Sequence, residues 1–140
     1  MVRIHATCIA IGDRGVLLTG PPGSGKSDLA LRLLDRGATL VSDDSVEVRG
    51  AAGRLRAAAP ATIAGLIEVR GLGIVPVEAA AEVTVALAVA LDRPAERLPE
   101  HPLPARTIEG VAIPELALAP FEASAAIKVE HALALFGLAS

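Results

Sequence analysis

Short segments with strand-like patterns predict that β-strands form much of this protein. Residues 3–11 alternate and are rich in Ile, Thr and Ala, while residues 15–19 are a short apolar run. The turn residues 12–15 between them predict an antiparallel hairpin. Residues 82–91 are apolar almost throughout and contain several β-branched residues, which predicts a strand buried on both faces.

Two segments have the spacing of an α-helix instead. Apolar residues recur at helical spacing along residues 26–36, with Asp28 in the first turn and Arg36 in the last. Gly37 follows and is suited to end this helix. Residues 122–135 show a second helical pattern, which predicts the last helix of the chain.

Further strands are predicted between and after these elements. Residues 38–42 predict a strand, which we expect to lie beside the strand at residues 15–19. Residues 45–49 and 54–57 flank a glycine-containing turn and predict a second hairpin. Residues 108–118 predict one or two short strands.

Three segments complete the pattern. Residues 63–70 fit a short helix and a short strand equally well, and residues 74–77 predict a short extended piece. Residues 92–104 hold four prolines among charged residues, which is typical of a surface loop. The whole pattern predicts a single α/β domain over residues 1–140 with a mixed sheet, because an antiparallel hairpin leads into a strand–loop–helix unit.

Composition and charge narrow the class of protein. The chain has 52% hydrophobic residues but only 1% aromatic ones, so Ala, Val, Leu and Ile must build the core. The net charge of -3, without a basic stripe, argues against a nucleic-acid partner. The single cysteine, Cys8, indicates a reducing cytoplasm, and we expect no membrane span because no apolar run is long enough.

The loop between residues 19 and 26 carries the strongest chemical signal. It matches the phosphate-loop pattern G-x-x-x-x-G-K-[ST] at every fixed position, with the residues Gly20, Pro21, Pro22, Gly23, Ser24, Gly25, Lys26 and Ser27. Such a loop surrounds a polyphosphate with backbone N–H groups. We expect Lys26 to contact the β- and γ-phosphates of ATP and the Ser27 hydroxyl to ligate Mg²⁺.

Acidic residues downstream of the loop suit phosphoryl transfer. Asp43 and Asp44 follow the strand predicted at residues 38–42, so we expect their carboxylates to reach the bound phosphates. Transfer to an alcohol needs a base for the hydroxyl and ligands for a metal ion. Glu68 lies in the segment Glu-Val-Arg-Gly-Leu-Gly, whose carboxylate and glycines suit metal binding and close backbone approach.

Taken together, these motifs resemble the catalytic domain of the HPr kinase/phosphorylase family. The resemblance covers His5, the phosphate loop, Val-Ser-Asp-Asp at residues 41–44 and Glu-Val-Arg-Gly-Leu-Gly-Ile at residues 68–74, in matching order. It implies a PEP-carboxykinase-like fold. It also implies ATP-dependent phosphorylation of a serine on the phosphocarrier protein HPr or a homologue, and its reversal by phosphorolysis.

The resemblance also implies roles for individual residues. Lys26 would act on the phosphates, Ser27 and Glu68 would ligate Mg²⁺, Asp43 would be the acid/base with Asp44 beside it, and His5 would be an active-site histidine. Glu-Arg-Leu at residues 96–98 matches the family's active-site arginine, which suggests Arg97; Arg93 is the competing assignment.

The family resemblance further suggests a homo-oligomer. The chain is similar to a short form of the family without the N-terminal domain, and residues 118–123 contain no arginine or lysine where the family has a basic loop. Two other functions fit the same phosphate loop: a small-molecule kinase, and a nucleotide-binding regulatory module without transfer activity.

Overall fold

A curled, mixed β-sheet of nine strands forms the centre of the computed structural model, which describes residues 1–140. The strands are β1 (Val2–Ile4), β2 (Ala6–Ile11), β3 (Arg14–Thr19), β4 (Thr39–Ser42), β5 (Val46–Ala51), β6 (Arg54–Ala58), β7 (Leu66–Val69), β8 (Gly73–Pro76), β9 (Val83–Ala90), β10 (Ala105–Ile108) and β11 (Val111–Ala117). The helices are α1 (Lys26–Asp35) and α2 (Ala125–Phe136), with a 3-10 turn at Ala61–Ile63.

The strand order of the main sheet is β1-β5-β6-β9-β3-β2-β4, and β10 pairs with β11 beside β9. Strand β9 runs parallel to β3 and β11, whereas the other pairs are antiparallel. Strands β7 and β8 form a separate two-stranded ribbon. The predicted α/β class with a mixed sheet is therefore confirmed.

Strand β9 lies at the middle of the sheet. It pairs with β3 along its length, with β6 at its first residues and with β11 at its last. All its residues except Thr84 are buried, as the apolar run predicted for a strand covered on both faces.

Two apolar cores lie on opposite faces of the sheet. Both helices pack on one face, where Val16 and Leu18 of β3 meet residues such as Leu29 and Leu133. Leu17, between them in the sequence, points to the other face and joins a core built by the strands of the curled sheet. Successive side chains of a strand point to opposite faces of the sheet, so neighbouring residues of β3 enter different cores.

Several predicted elements agree with the structure. The hairpins β2–β3 and β5–β6 form around the expected turns, and α1 and α2 occupy the predicted helical segments. The segment at residues 63–70, which fitted helix or strand, contains β7. Neither helix has the length and hydropathy that a membrane span requires.

Two expectations about strands were wrong. Residues 3–11 are not one strand, because the chain bends at His5 between β1, which pairs with β5, and β2, which pairs with β3. Strand β4 does not lie beside β3, because β2 occupies that edge and pairs with both of them. Asp43 and Asp44 therefore approach the phosphate loop across the beginning of β2.

Candidate active site

The phosphate loop joins the end of β3 to the beginning of α1. Gly23 and Gly25 have φ values of 84° and 98°, a left-handed conformation that favours glycine. A Cβ atom at Gly20 would lie 2.5 Å from the Ser24 hydroxyl, so the loop can close in this way only with glycine there. No side chain caps α1 at Gly25, and its first N–H groups are left for an anion.

Lys26 is folded into this loop and is only 4% exposed. Its Nζ donates hydrogen bonds to the carbonyl oxygens of Gly20 at 2.7 Å and Pro21 at 3.1 Å. The same Nζ lies 3.7 Å from Oδ1 of Asp44. An ammonium group has three donors, so one donor is left for a phosphate oxygen.

Asp43 is buried and connects three elements of the site. Its Oδ1 accepts hydrogen bonds from the hydroxyl of Ser27 at 2.6 Å and from that of Thr7 at 3.1 Å. Its Oδ2 accepts the backbone N–H of Glu68 at 2.9 Å. The Asp43 carboxylate thereby ties β2, α1 and β7 together.

Asp44 differs from its neighbour in conformation and exposure. Its φ is 64°, a left-handed value that Asp and Asn tolerate better than most side chains, and its side chain is 59% exposed. Oδ1 of Asp44 lies 3.2 Å from Nε2 of His5, and its backbone N–H donates to the Thr7 hydroxyl at 3.1 Å. Asp44 lines the cleft in front of the phosphate loop.

The topology explains why His5 reaches this site. Strand β2 is antiparallel to β3 and β4, so it begins where they end: Ala6 pairs with Thr19, and Cys8 with Ser42. The bend before Ala6 leaves His5 at the edge of the sheet from which the phosphate loop and Asp44 also emerge.

An open cleft of about 520 Å³ lies in front of the loop. Polar groups from Lys26, Ser27, Asp44 and Glu68 line it together with backbone of the loop, whereas Leu31, Val69 and Phe121 supply apolar surface. A volume of this size falls in the range of roughly 300–1,000 Å³ that is usual for small-molecule sites.

The donor set of the cleft fits a hard cation that also binds phosphate. Ser27 and Glu68 offer hydroxyl and carboxylate oxygens beside Asp44. The chain has no cluster of three or more His, Cys, Asp or Glu side chains that would bind a metal ion by themselves. Mg²⁺ is commonly bound by one or two protein oxygens together with phosphate oxygens and water, so these residues fit it.

The two arginines suggested from the sequence do not line the cleft. Arg93 pairs with Glu115, with 2.9 Å between Nη2 of Arg93 and Oε1 of Glu115. Arg97 is exposed and forms no ion pair or hydrogen bond. It lies on the loop that follows β9, and β9 ends beside β3 where the phosphate loop begins. The assignment of a catalytic role to Arg97 stays a prediction.

Three residues around the cleft were not predicted from the sequence: Thr7, Arg32 and Phe121. Thr7, the one hydroxyl in β2, bridges Asp43 and the backbone of Asp44. Arg32 of α1 binds the backbone of the segment before α2, where Phe121 adjoins the loop. A polar residue within an apolar strand was a usable signal for Thr7, whereas the contacts of Arg32 depend on long-range packing.

Comparisons with known proteins find relatives of this chain. The family model described as "HPr Serine kinase C-terminal domain" matches residues 1–120. HPr kinase/phosphorylases from Clostridium tetani and Clostridium beijerinckii are each 43% identical over 75 residues, which cover 54% of this chain. The match spans 25% of the length of these curated relatives. The solved Hpr(Ser) kinase/phosphatase from Coxiella burnetii superposes with a TM-score of 0.82 at 28% identity, covering 96% of this chain and 95% of that one.

Proposed function

Since this chain belongs to the HPr serine kinase C-terminal domain family, we propose that it transfers the γ-phosphoryl group of ATP to a serine of HPr or a homologue. One observation carries the proposal: the phosphate loop, Lys26 and Asp44 line a single cleft, and Nε2 of His5 lies 3.2 Å from Oδ1 of Asp44. Such a protein serine kinase would regulate the phosphotransferase system and carbon metabolism.

The general base in this proposal is Asp44. The sequence favoured Asp43, but Asp43 is buried and its two oxygens already accept three hydrogen bonds. Asp44 is exposed to the cleft, where a serine hydroxyl can approach it. We assign Asp44 to take the serine proton, His5 to orient its carboxylate, and Asp43 to position Ser27.

Lys26 and the first N–H groups of α1 would stabilise the negative charge of the transferring phosphoryl group. The transferring phosphoryl group carries charge on its equatorial oxygens, and positioned donors lower the barrier by binding that charge. Lys26 has a free donor, and the N–H groups at the start of α1 have no side-chain cap. Ser27 and Glu68 would hold Mg²⁺, which neutralises phosphate charge when bound.

The reverse reaction needs the same groups, by microscopic reversibility. Inorganic phosphate would attack the phosphorus of phosphoserine, while protonated Asp44 donates its proton to the departing serine oxygen. Pyrophosphate and free serine would be the products. Release of pyrophosphate from phosphorylated HPr and inorganic phosphate tests this step separately from the forward transfer.

We also propose that the protein works in the cytoplasm as a homo-oligomer. The single cysteine is buried and unpaired, which suits a reducing compartment. Leu72 and Ile74 at the ribbon are 80% and 64% exposed and offer apolar surface for a second copy. Light scattering on the purified protein, compared with a Leu72→Ser/Ile74→Ser variant, measures this assembly.

The test of the main proposal is a transfer assay with ATP, Mg²⁺ and purified HPr. Mass spectrometry should find one phosphate on a serine of HPr, and Lys26→Ala should abolish it. Phosphate on a small molecule instead would identify a small-molecule kinase. ATP binding without any transfer would identify a regulatory module.

A further inference from the structure

Phe121 is an exposed aromatic residue at the mouth of the cleft. The chain has two phenylalanines and no tyrosine or tryptophan, yet the Phe121 side chain lies at the surface with 70% of its area exposed. Its ring packs against the phosphate loop so closely that a Cβ atom on Gly25 would be 3.0 Å from two ring carbons.

Arg32 fixes the segment that carries this ring. Its guanidinium donates hydrogen bonds to the carbonyl oxygens of Pro120 and Glu122, on either side of Phe121. The same guanidinium pairs with Asp28 one turn earlier on α1. Pro120 is buried beneath the segment. Because its backbone is held on both sides, Phe121 has a defined position beside the first turn of α1.

The apolar surface of the cleft continues from the phosphate loop to this ring. Ser27 and Leu31 are four residues apart on α1, so they lie on the same face of the helix, and both line the cleft. Val69 of β7 and Phe121 contribute the apolar part of the remaining lining. Residues 118–123 contain no arginine or lysine, so this segment offers a bound nucleotide an aromatic ring and no cation; the arginine that lines the cleft, Arg70, belongs to the turn of the ribbon.

We infer that Phe121 stacks on the purine base of the nucleotide whose phosphates occupy the loop. This inference rests on the proposed function and assigns a binding residue to it. Every purine has a π-face, and stacking on an aromatic side chain strengthens binding without a charged partner. Phe121 thereby adds affinity for a nucleoside triphosphate that an inorganic polyphosphate bound at the same loop does not receive.

Paired ligands test the inference on the 140-residue chain. Phe121→Ala should weaken ATP binding about tenfold or more, the usual effect of removing one stacking partner, and leave the affinity for inorganic tripolyphosphate unchanged. Leu135→Ala removes a side chain of similar exposure, 68%, from α2 and should change neither affinity. Calorimetry gives both constants for each variant.

Other outcomes overturn the inference. Equal losses for ATP and tripolyphosphate would mean that Phe121 only supports the loop. Unchanged ATP affinity with a raised KM for HPr would make Phe121 a docking residue for the protein substrate. Lys26→Ala separates this inference from the proposed function: if Lys26→Ala binds both ligands normally, the phosphate site itself is wrong.

A tryptophan variant supplies a direct readout of stacking. Phe121→Trp would be the sole tryptophan of the chain, and ATP should quench its fluorescence whereas tripolyphosphate should not. Equal responses to the two ligands, or none to ATP, would contradict base stacking. This variant keeps an aromatic ring, so its ATP affinity should stay near that of the unchanged chain.

Discussion

The backbone conformation of Asp44 places two adjacent aspartates in different surroundings. The left-handed conformation of Asp44 turns its carboxylate to the cleft, while Asp43 is buried behind Ser27. Substitution by Asn removes the negative charge at either position and nearly keeps the shape. Asn also tolerates the positive φ of Asp44, so strain does not confuse the comparison.

Asp44→Asn should lower the single-turnover transfer rate by about a hundred- to ten-thousandfold, the typical contribution of a general base, with little change in ATP affinity. Asp43→Asn should instead lower the free energy of unfolding. The NH₂ group of the amide would face hydroxyl or N–H donors that now donate to a carboxylate, and an unsatisfied buried group costs roughly 1–3 kcal/mol. Rate, ATP affinity and melting temperature are measured on both variants. The opposite pattern would return the base to Asp43.

Cys8 gives a prediction about pH. Burial raises the pKa of its thiol from 9.0 to about 12, because the core disfavours the thiolate. The unfolded chain therefore loses this proton at lower pH than the folded chain. The contribution of this pKa shift to the free energy of unfolding is complete below pH 9. It is lost as the pH rises toward 12, with a slope of about 1.4 kcal/mol per pH unit.

Denaturant titrations between pH 8 and pH 11 measure that slope, and Cys8→Ala serves as the control. The difference in unfolding free energy between the two proteins should shrink or reverse as pH rises. A difference that is independent of pH would show that the thiol ionises equally in both states.

Among the elements, the ribbon β7–β8 carries Glu68 without belonging to the main sheet. Its contact with Asp43 uses the backbone N–H of Glu68, so a substitution of the side chain leaves this contact in place. Glu68→Gln should raise the Mg²⁺ concentration needed for half-maximal transfer while the fold is unchanged, since an amide is a poorer ligand for a hard cation. An unaltered magnesium titration would remove Glu68 from the metal site.

The elements that could be predicted from sequence depend on local signals. The phosphate loop, α1 and the two hairpins follow from glycines, turn residues and apolar spacing within a few positions of each other. The ribbon could not be assigned, because four residues of β7 form a strand only by pairing with β8. The neighbour of β4 depends on the strand order of the whole sheet.

In the candidate site, too, the parts that could be predicted are those with local sequence signals. The phosphate-loop residues 20–27 are consecutive, so the sequence motif could identify them together, and the same holds for the two adjacent aspartates. The sequence could not tell which aspartate faces the cleft, because that depends on the φ of Asp44. From the sequence, Phe121 could be described only as part of a segment that lacks the basic residues of the family's loop. Its approach to Gly25 could not be predicted, because it depends on a contact of Arg32 with residues about ninety positions away.

For the whole molecule, ATP and Mg²⁺ should stabilise the fold by mass action. A ligand at a hundred times its dissociation constant adds about 2.7 kcal/mol to the unfolding free energy, which for a domain of this size raises the melting temperature by roughly 10 °C. Lys26→Ala should lose most of this shift, whereas Leu135→Ala should keep it. Scanning calorimetry with and without nucleotide measures the effect, and an equal shift in Lys26→Ala would contradict the assigned phosphate site.

The separation of the β7–β8 ribbon from the main sheet has a consequence for motion. Strand β9 has partners on both edges and is buried, so its amide protons should exchange with deuterated solvent only when the whole chain unfolds. The ribbon has one hydrogen-bonded pair of strands and exposed residues at its turn, so its amides should exchange far earlier. The wall of the cleft that carries Glu68 is tied to the rest of the fold by the Asp43 carboxylate and the buried Ile67. We expect that wall to loosen once these contacts break, while the phosphate loop stays anchored to the slowest-exchanging part of the protein.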